Sequence, residues 1–136
     1  MRKTCWVLLL AVMLLFPLSC GHPTTMVSLT VSPAATGVVG VGGGGQVQFT
    51  ATGQFVHPIE TRDVTNQVAW SSAIHDVVTV NQQGVATSGV VCGVSTITAT
   101  AGEPLIGQVG PGAIVTGTAS FTVANPNNPS CPQTVQ

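Results

Sequence analysis

From residue 26 onward, apolar and polar side chains alternate with a period of two, in short runs separated by glycine and proline. Val27, Leu29 and Val31 alternate with Ser28, Thr30 and Ser32, and Val47, Phe49 and Ala51 with Gln46, Gln48, Thr50 and Thr52. Val68 and Trp70 alternate with Ala69 and Ser71. Val78 and Val80 flank Thr79, after which Asn81-Gln82-Gln83-Gly84 turns the chain into Val85-Ala86-Thr87. Ile97 and Ala99 alternate with Thr96, Thr98 and Thr100, and Ala119, Phe121 and Val123 with Thr118, Ser120 and Thr122. Each run predicts a strand with one face in a core and a Thr, Ser or Gln face toward water, as an antiparallel sheet covered on one side requires. No segment of this part of the chain carries a helical stripe with caps.

These are about seven strands in Met26–Ala124, a span of 99 residues. That length and strand count predict an all-β, immunoglobulin-like β-sandwich of about seven antiparallel strands. The expected breakers are Pro33, Gly42 to Gly45, Gly53, Pro58, Gly84, Gly89 and Gly93. Gly102–Gly117 is long for a hairpin connection and contains Leu105, Ile106, Ile114 and Val115. It reads either as an added hairpin or as a mobile excursion. Residues 125–136, with three Pro and three Asn, form a tail that is not a strand.

The N-terminus has a different pattern. Arg2 and Lys3 precede an apolar run from Cys5 to Leu18, 14 residues long. The run falls short of the roughly 20 residues of a membrane-spanning helix and fits the hydrophobic region of a cleaved signal peptide. A retained membrane anchor is the alternative. Leu18-Ser19-Cys20-Gly21 resembles the lipobox of bacterial lipoproteins, although Pro17 and Leu18 stand where that family usually has Leu and a small residue. The resemblance implies a signal peptide over 1–19, a lipid on Cys20 as the mature N-terminus, and a linker over 20–25. Gly21 implies sorting to the outer membrane or cell surface rather than retention at the inner membrane. The competing reading is an ordinary secreted protein.

Charge narrows the function classes. Only 5% of the residues are charged. Without residues 1–19, one Arg (Arg62) faces four acids (Glu60, Asp63, Asp76, Glu103), a net charge of −3. A chain with one Arg and no Lys cannot neutralise several phosphates, which argues against nucleic acid as a partner. Of the four Cys, Cys5 leaves with the signal and Cys20 takes the lipid, so Cys92 and Cys131 remain. Two thiols in an exported chain are candidates for one disulfide. Cys131 lies seven residues past the last strand, and an extended tail of that length reaches about 23 Å, enough to return to Cys92. Two free thiols, or an intermolecular bridge through Cys131, are the other readings.

Several segments together carry a second resemblance. Gln46-Val47-Gln48-Phe49-Thr50-Ala51-Thr52-Gly53, Asp63-Val64-Thr65, Val68-Ala69-Trp70-Ser71-Ser72, Gly84-Val85-Ala86-Thr87 and Ser95-Thr96-Ile97-Thr98-Ala99-Thr100 resemble, in order and spacing, a bacterial Ig-like domain of group 2. The resemblance covers nearly all of 26–124. It implies a β-sandwich of the kind found in bacterial surface proteins, adhesins among them, often as tandem stalk modules. This chain has one copy and inserts Gly102–Gly117 before the last strand.

The candidate chemistry is thin. Trp70 could stack on a sugar, but its inward-alternating position makes it a core residue, together with Phe49, Ile97 and Phe121. His57, His75 and Asp76 lack the converging geometry of a zinc site. Glu60, Asp63 and Asp76 could supply oxygen ligands for Ca²⁺, yet Arg62 lies among them and no EF-hand pattern is present. Paired carboxylates for glycoside hydrolysis need a cleft that a hundred-residue sandwich hardly offers. Gly42–Gly45 is followed by no Lys and no helix, so it is not a phosphate loop. No catalytic residue, metal or cofactor is expected. Two readings remain: a lipid-anchored envelope module that binds or spaces a protein or glycan, as in adhesion, and a structural subunit that self-associates through open strand edges.

Overall fold

The computed structural model describes residues 24–42, 44–102 and 114–135. The expected signal peptide, Cys20 and all but the last two residues of the linker 20–25 lie outside the described residues. The described chain forms ten strands and no helix. They are β1 (Thr25–Ser32), β2 (Ala35–Val39), β3 (Gln46–Gln48), β4 (Thr50–Val56), β5 (Glu60–Asp63), β6 (Ala69–Ser72), β7 (Val78–Val80), β8 (Val85–Ser88), β9 (Gly93–Gly102) and β10 (Ile114–Ala124).

β3 and β4 are one alternating run interrupted at Phe49, whose N–H donates to the Gly84 carbonyl at 2.8 Å. One layer therefore runs β1, β3–β4, β8, β7, and the other runs β2, β10, β9, β6. Apart from β2, four strands face three in the order of the constant-type immunoglobulin arrangement. The seven periodic runs supply these strands one for one. The count rises to ten through the break at Phe49 and two strands that the periodicity does not show. β2 lies along β10 in parallel, Ala35 against Ser120 through Val39 against Ala124, so the pairing is not antiparallel throughout. β5 pairs with Thr52 to Phe55 of β4, on the side opposite β1.

The inward faces meet in one core. Phe49, Ile97 and Phe121 are fully buried and Trp70 nearly so. The Phe49 and Phe121 rings, one from each layer, lie 6.3 Å apart between centroids in a tilted pair, a favourable geometry for aromatic side chains. The Trp70 indole N–H donates to the Thr65 carbonyl at 2.9 Å, satisfying the polar atom that burial would otherwise strand.

Three local expectations change. Val27 is exposed rather than inward, because a register shift between Met26 and Ser28 turns Met26 into the core instead. Gly53 does not break a strand; it is buried inside β4, where a Cβ would collide with the Met26 side chain. Gly102–Gly117 is not wholly an insertion, since β9 runs through Gly102 and β10 begins at Ile114, paired with it. Residues 103–113 between them lie outside the described residues.

Candidate interaction surface

Strand direction sorts the loops into two ends. At the first end lie Thr24, the β4–β5 turn at 57–59, the end of β9 and the start of β10. At the other lie the β2–β3 loop (40–45), the β6–β7 loop (73–77), the β8–β9 loop (89–92) and the C-terminal tail.

The loops of that second end are tied to one another by their backbones. Gly40 N–H donates to Ala124 O at 2.8 Å, Gly42 N–H to Gly89 O at 2.9 Å, and Gly89 N–H to Val77 O at 2.8 Å. Val91 N–H donates to Asp76 O at 3.1 Å, and Ile74 N–H donates to the buried Ser95 hydroxyl at 2.9 Å. A Cβ on Gly89 would overlap the Asp76 carbonyl, so glycine is what lets the two loops touch. These bonds account for much of the loop backbone without a helix or a long strand.

The tail closes this end covalently. Cys92 and Cys131 form a disulfide with their Cα atoms 5.7 Å apart, a separation ordinary for such bridges. The tail, though not a strand, is ordered by its own Asn residues. Asn125 Oδ1 accepts from Asn127 N–H at 3.1 Å and Asn128 Oδ1 from Ser130 N–H at 3.0 Å. Both are Asx turns. Asn125 N–H then donates to Pro132 O at 2.9 Å, bringing the chain back to the end of β10. Thr122 and Ala124 alternate with inward Phe121 and Val123, so they point away from the core. They are nevertheless 3% and 0% exposed, at the corner to which the tail returns.

Around this corner Val39, Val41, Ile74, Val90, Val91 and Val94 are exposed, Val90 to 74%. Single exposed aliphatics are normal, but six at one end of a small sandwich make that end the candidate interaction surface. Among the described residues Asp76 is the one carboxylate or cationic side chain in these loops, with His75 beside it. Nothing in the period-two pattern points to this surface. The sequence signal is valines in glycine-bounded segments outside the strand alternation, Gly40-Val41-Gly42 and Gly89-Val90-Val91.

The remaining sequence candidates are dispersed. Glu60 and Asp63 lie on β5, whereas Asp76 lies at the disulfide end, so the three carboxylates are not brought together. Arg62 pairs with Glu60 and places its guanidinium 4.3 Å from the Phe55 ring centroid. The hydroxyl and the backbone N–H of Thr65 hold the Asp63 carboxyl below the usual carboxylate range. His57 lies in the turn at the first end and His75 at the second. Cys20 is outside the described residues. No protein-family model matches the chain, and no curated protein matches it at a significant level.

Proposed function

We propose that the protein is a noncatalytic, lipid-anchored module of the bacterial cell envelope that presents its disulfide end to a partner. The observation that carries this reading is polarity. The chain leads into β1 at one end of the sandwich, and the exposed valines and the disulfide occupy the other. A lipid on Cys20 would therefore hold the binding end outward. β10, eleven residues long, separates the two ends by about 35 Å. The motif resemblance to bacterial Ig-like domains of group 2 supports an envelope or adhesion setting. An apolar, weakly charged surface favours a protein partner over a glycan. Trp70, the one described aromatic residue suited to stacking on a sugar by its size, is buried.

Two variants test this. Cys20→Ala should move the protein from the membrane fraction to the soluble fraction, or stall it unprocessed. Val90→Asp with Val91→Asp should keep the melting temperature while removing cross-links to the envelope or surface partner. A soluble wild-type protein that starts downstream of Cys20 would overturn the anchoring. Unchanged cross-linking of the double variant would overturn the assignment of the binding end. The second reading, a self-assembling subunit, draws support from the same apolar end, which could pair with a copy of itself.

A further inference from the structure

We infer that the first end of the sandwich rests on the lipid surface through Ile59 and Ile114, so that the module stands on its anchor instead of swinging from it. The inference deepens the lipid-anchored reading and depends on it.

Ile59 is 92% exposed at the tip of the β4–β5 turn, and Ile114 is 67% exposed at the start of β10. An isoleucine this exposed at a hairpin tip buries almost none of its side chain in the fold. Its position supplies a role, because the Thr24 hydroxyl donates to the His57 carbonyl at 3.3 Å. The turn that carries Ile59 is thus fastened to the point where the chain leads into the sandwich. Cys20 lies four residues before Thr24, a reach of about 14 Å when extended. An acyl chain on Cys20 leaves the turn no room to stand far from the headgroups.

Ile114 shares this level although it belongs to the opposite layer. Gly117 packs its backbone against Leu29, where a Cβ would lie 2.7 Å from the Leu29 carbonyl oxygen. From that contact β10 runs back three residues to Ile114, and β1 runs back four to Thr25, which pairs with Val56. Each path covers roughly 10–13 Å at a strand's rise. The two isoleucines therefore end at similar heights, on layers about 10 Å apart. Among the described residues at this end, the Glu60 carboxylate is paired with Arg62, which offsets its charge toward an anionic surface.

The test places a tryptophan at each end of the full-length, lipidated protein. Ile59→Trp, Ile114→Trp and, as the outward control, Val90→Trp are reconstituted in phosphatidylethanolamine–phosphatidylglycerol vesicles. The lipids carry bromine in the upper acyl chain, and the signal of wild-type Trp70 is subtracted. All three sites are exposed, and circular dichroism checks that the fold is kept. The expected result is blue-shifted, bromine-quenched emission at 59 and 114, at the depth of about 5–10 Å typical of interfacial side chains, and none at 90. Acylated protein in the vesicles with unquenched tryptophan at 59 and 114 overturns the inference and leaves the anchor standing. Shielding of these sites from aqueous acrylamide without bromine quenching overturns it in favour of contact with a second copy of the chain at this end. A mature chain without acyl groups by mass spectrometry overturns the anchoring reading, and the inference with it.

Discussion

Trp70 depends on one short turn for its place in the core. Thr65 is buried and serves three neighbours: its carbonyl accepts from the Trp70 indole, its hydroxyl accepts from Ala51 N–H at 2.9 Å, and its N–H donates to Asp63 Oδ1 at 2.8 Å. Removing the indole leaves a cavity between the layers and strands the Thr65 carbonyl. Trp70→Ala is expected to cost about 3–5 kcal/mol, measured by denaturant unfolding. An unchanged midpoint would show that the ring is not part of the core. Asp63 contributes through its charge. Its folded-state pKa lies below the ordinary carboxylate value, so its contribution to stability is full above about pH 4 and fades as pH falls through the depressed value. The carboxylate is exposed, which keeps the effect small. Asp63→Asn should flatten the acid limb of the melting temperature below about pH 4, by lowering the melting temperature slightly at pH 7 and leaving it unchanged once the carboxyl is protonated. An unaltered acid limb would remove Asp63 from the account. The role of Trp70 is legible from its alternation with Ala69 and Ser71. The role of Thr65 is not, because it depends on three partners meeting at a turn.

At the level of elements, what the alternation shows depends on burial. Runs such as Thr96 to Thr100 bury alternate residues, and those strands can be read directly from the sequence. β5, Glu60-Thr61-Arg62-Asp63, places no apolar side chain in the core, so its membership in the sheet rests on backbone pairing with β4 and leaves no periodic trace. β2, Ala35-Thr36-Gly37-Val38-Val39, packs only the half-buried Val38 against the core, and Gly37 lies so close to Thr122 that a Cβ would overlap its carbonyl. The tail shows the reverse case. Its composition correctly excludes a strand, yet the same Asn residues supply the turns that aim Cys131 at Cys92. The bridge spans 39 positions, and in the chain-entropy model closing such a loop is worth at most about 4 kcal/mol. Replacing both cysteines by Ser is expected to lower stability by no more than that and to raise hydrogen exchange at Thr122 and Ala124. Free alkylation of both thiols in the folded protein, without reductant, would refute the bridge.

For the whole molecule, the two ways of assembling with copies make different demands on the fold. Growth by strand addition needs a long open edge. The outermost strands here are short: β7 has three residues, β5 and β6 four each, and β2 five. β1 is longer, at eight, but its backbone at Leu29 lies against Gly117 of β10, so the close contact between layers covers part of its free side. Pairing through the apolar disulfide end needs no edge and closes on itself as a two-fold dimer, because the same patch meets its copy. The low charge of that end raises little repulsion against such pairing. The valines there are also the proposed contact for a partner, so a tight dimer would compete with binding. The expectation is a monomer for the unlipidated Cys20→Ala protein across micromolar concentrations, measured by sedimentation equilibrium. A closed dimer that Val90→Asp with Val91→Asp dissolves would identify the partner as a second copy of this chain. Open-ended oligomers that survive the double aspartate would show growth through strand edges, and would replace the binding module with a structural subunit.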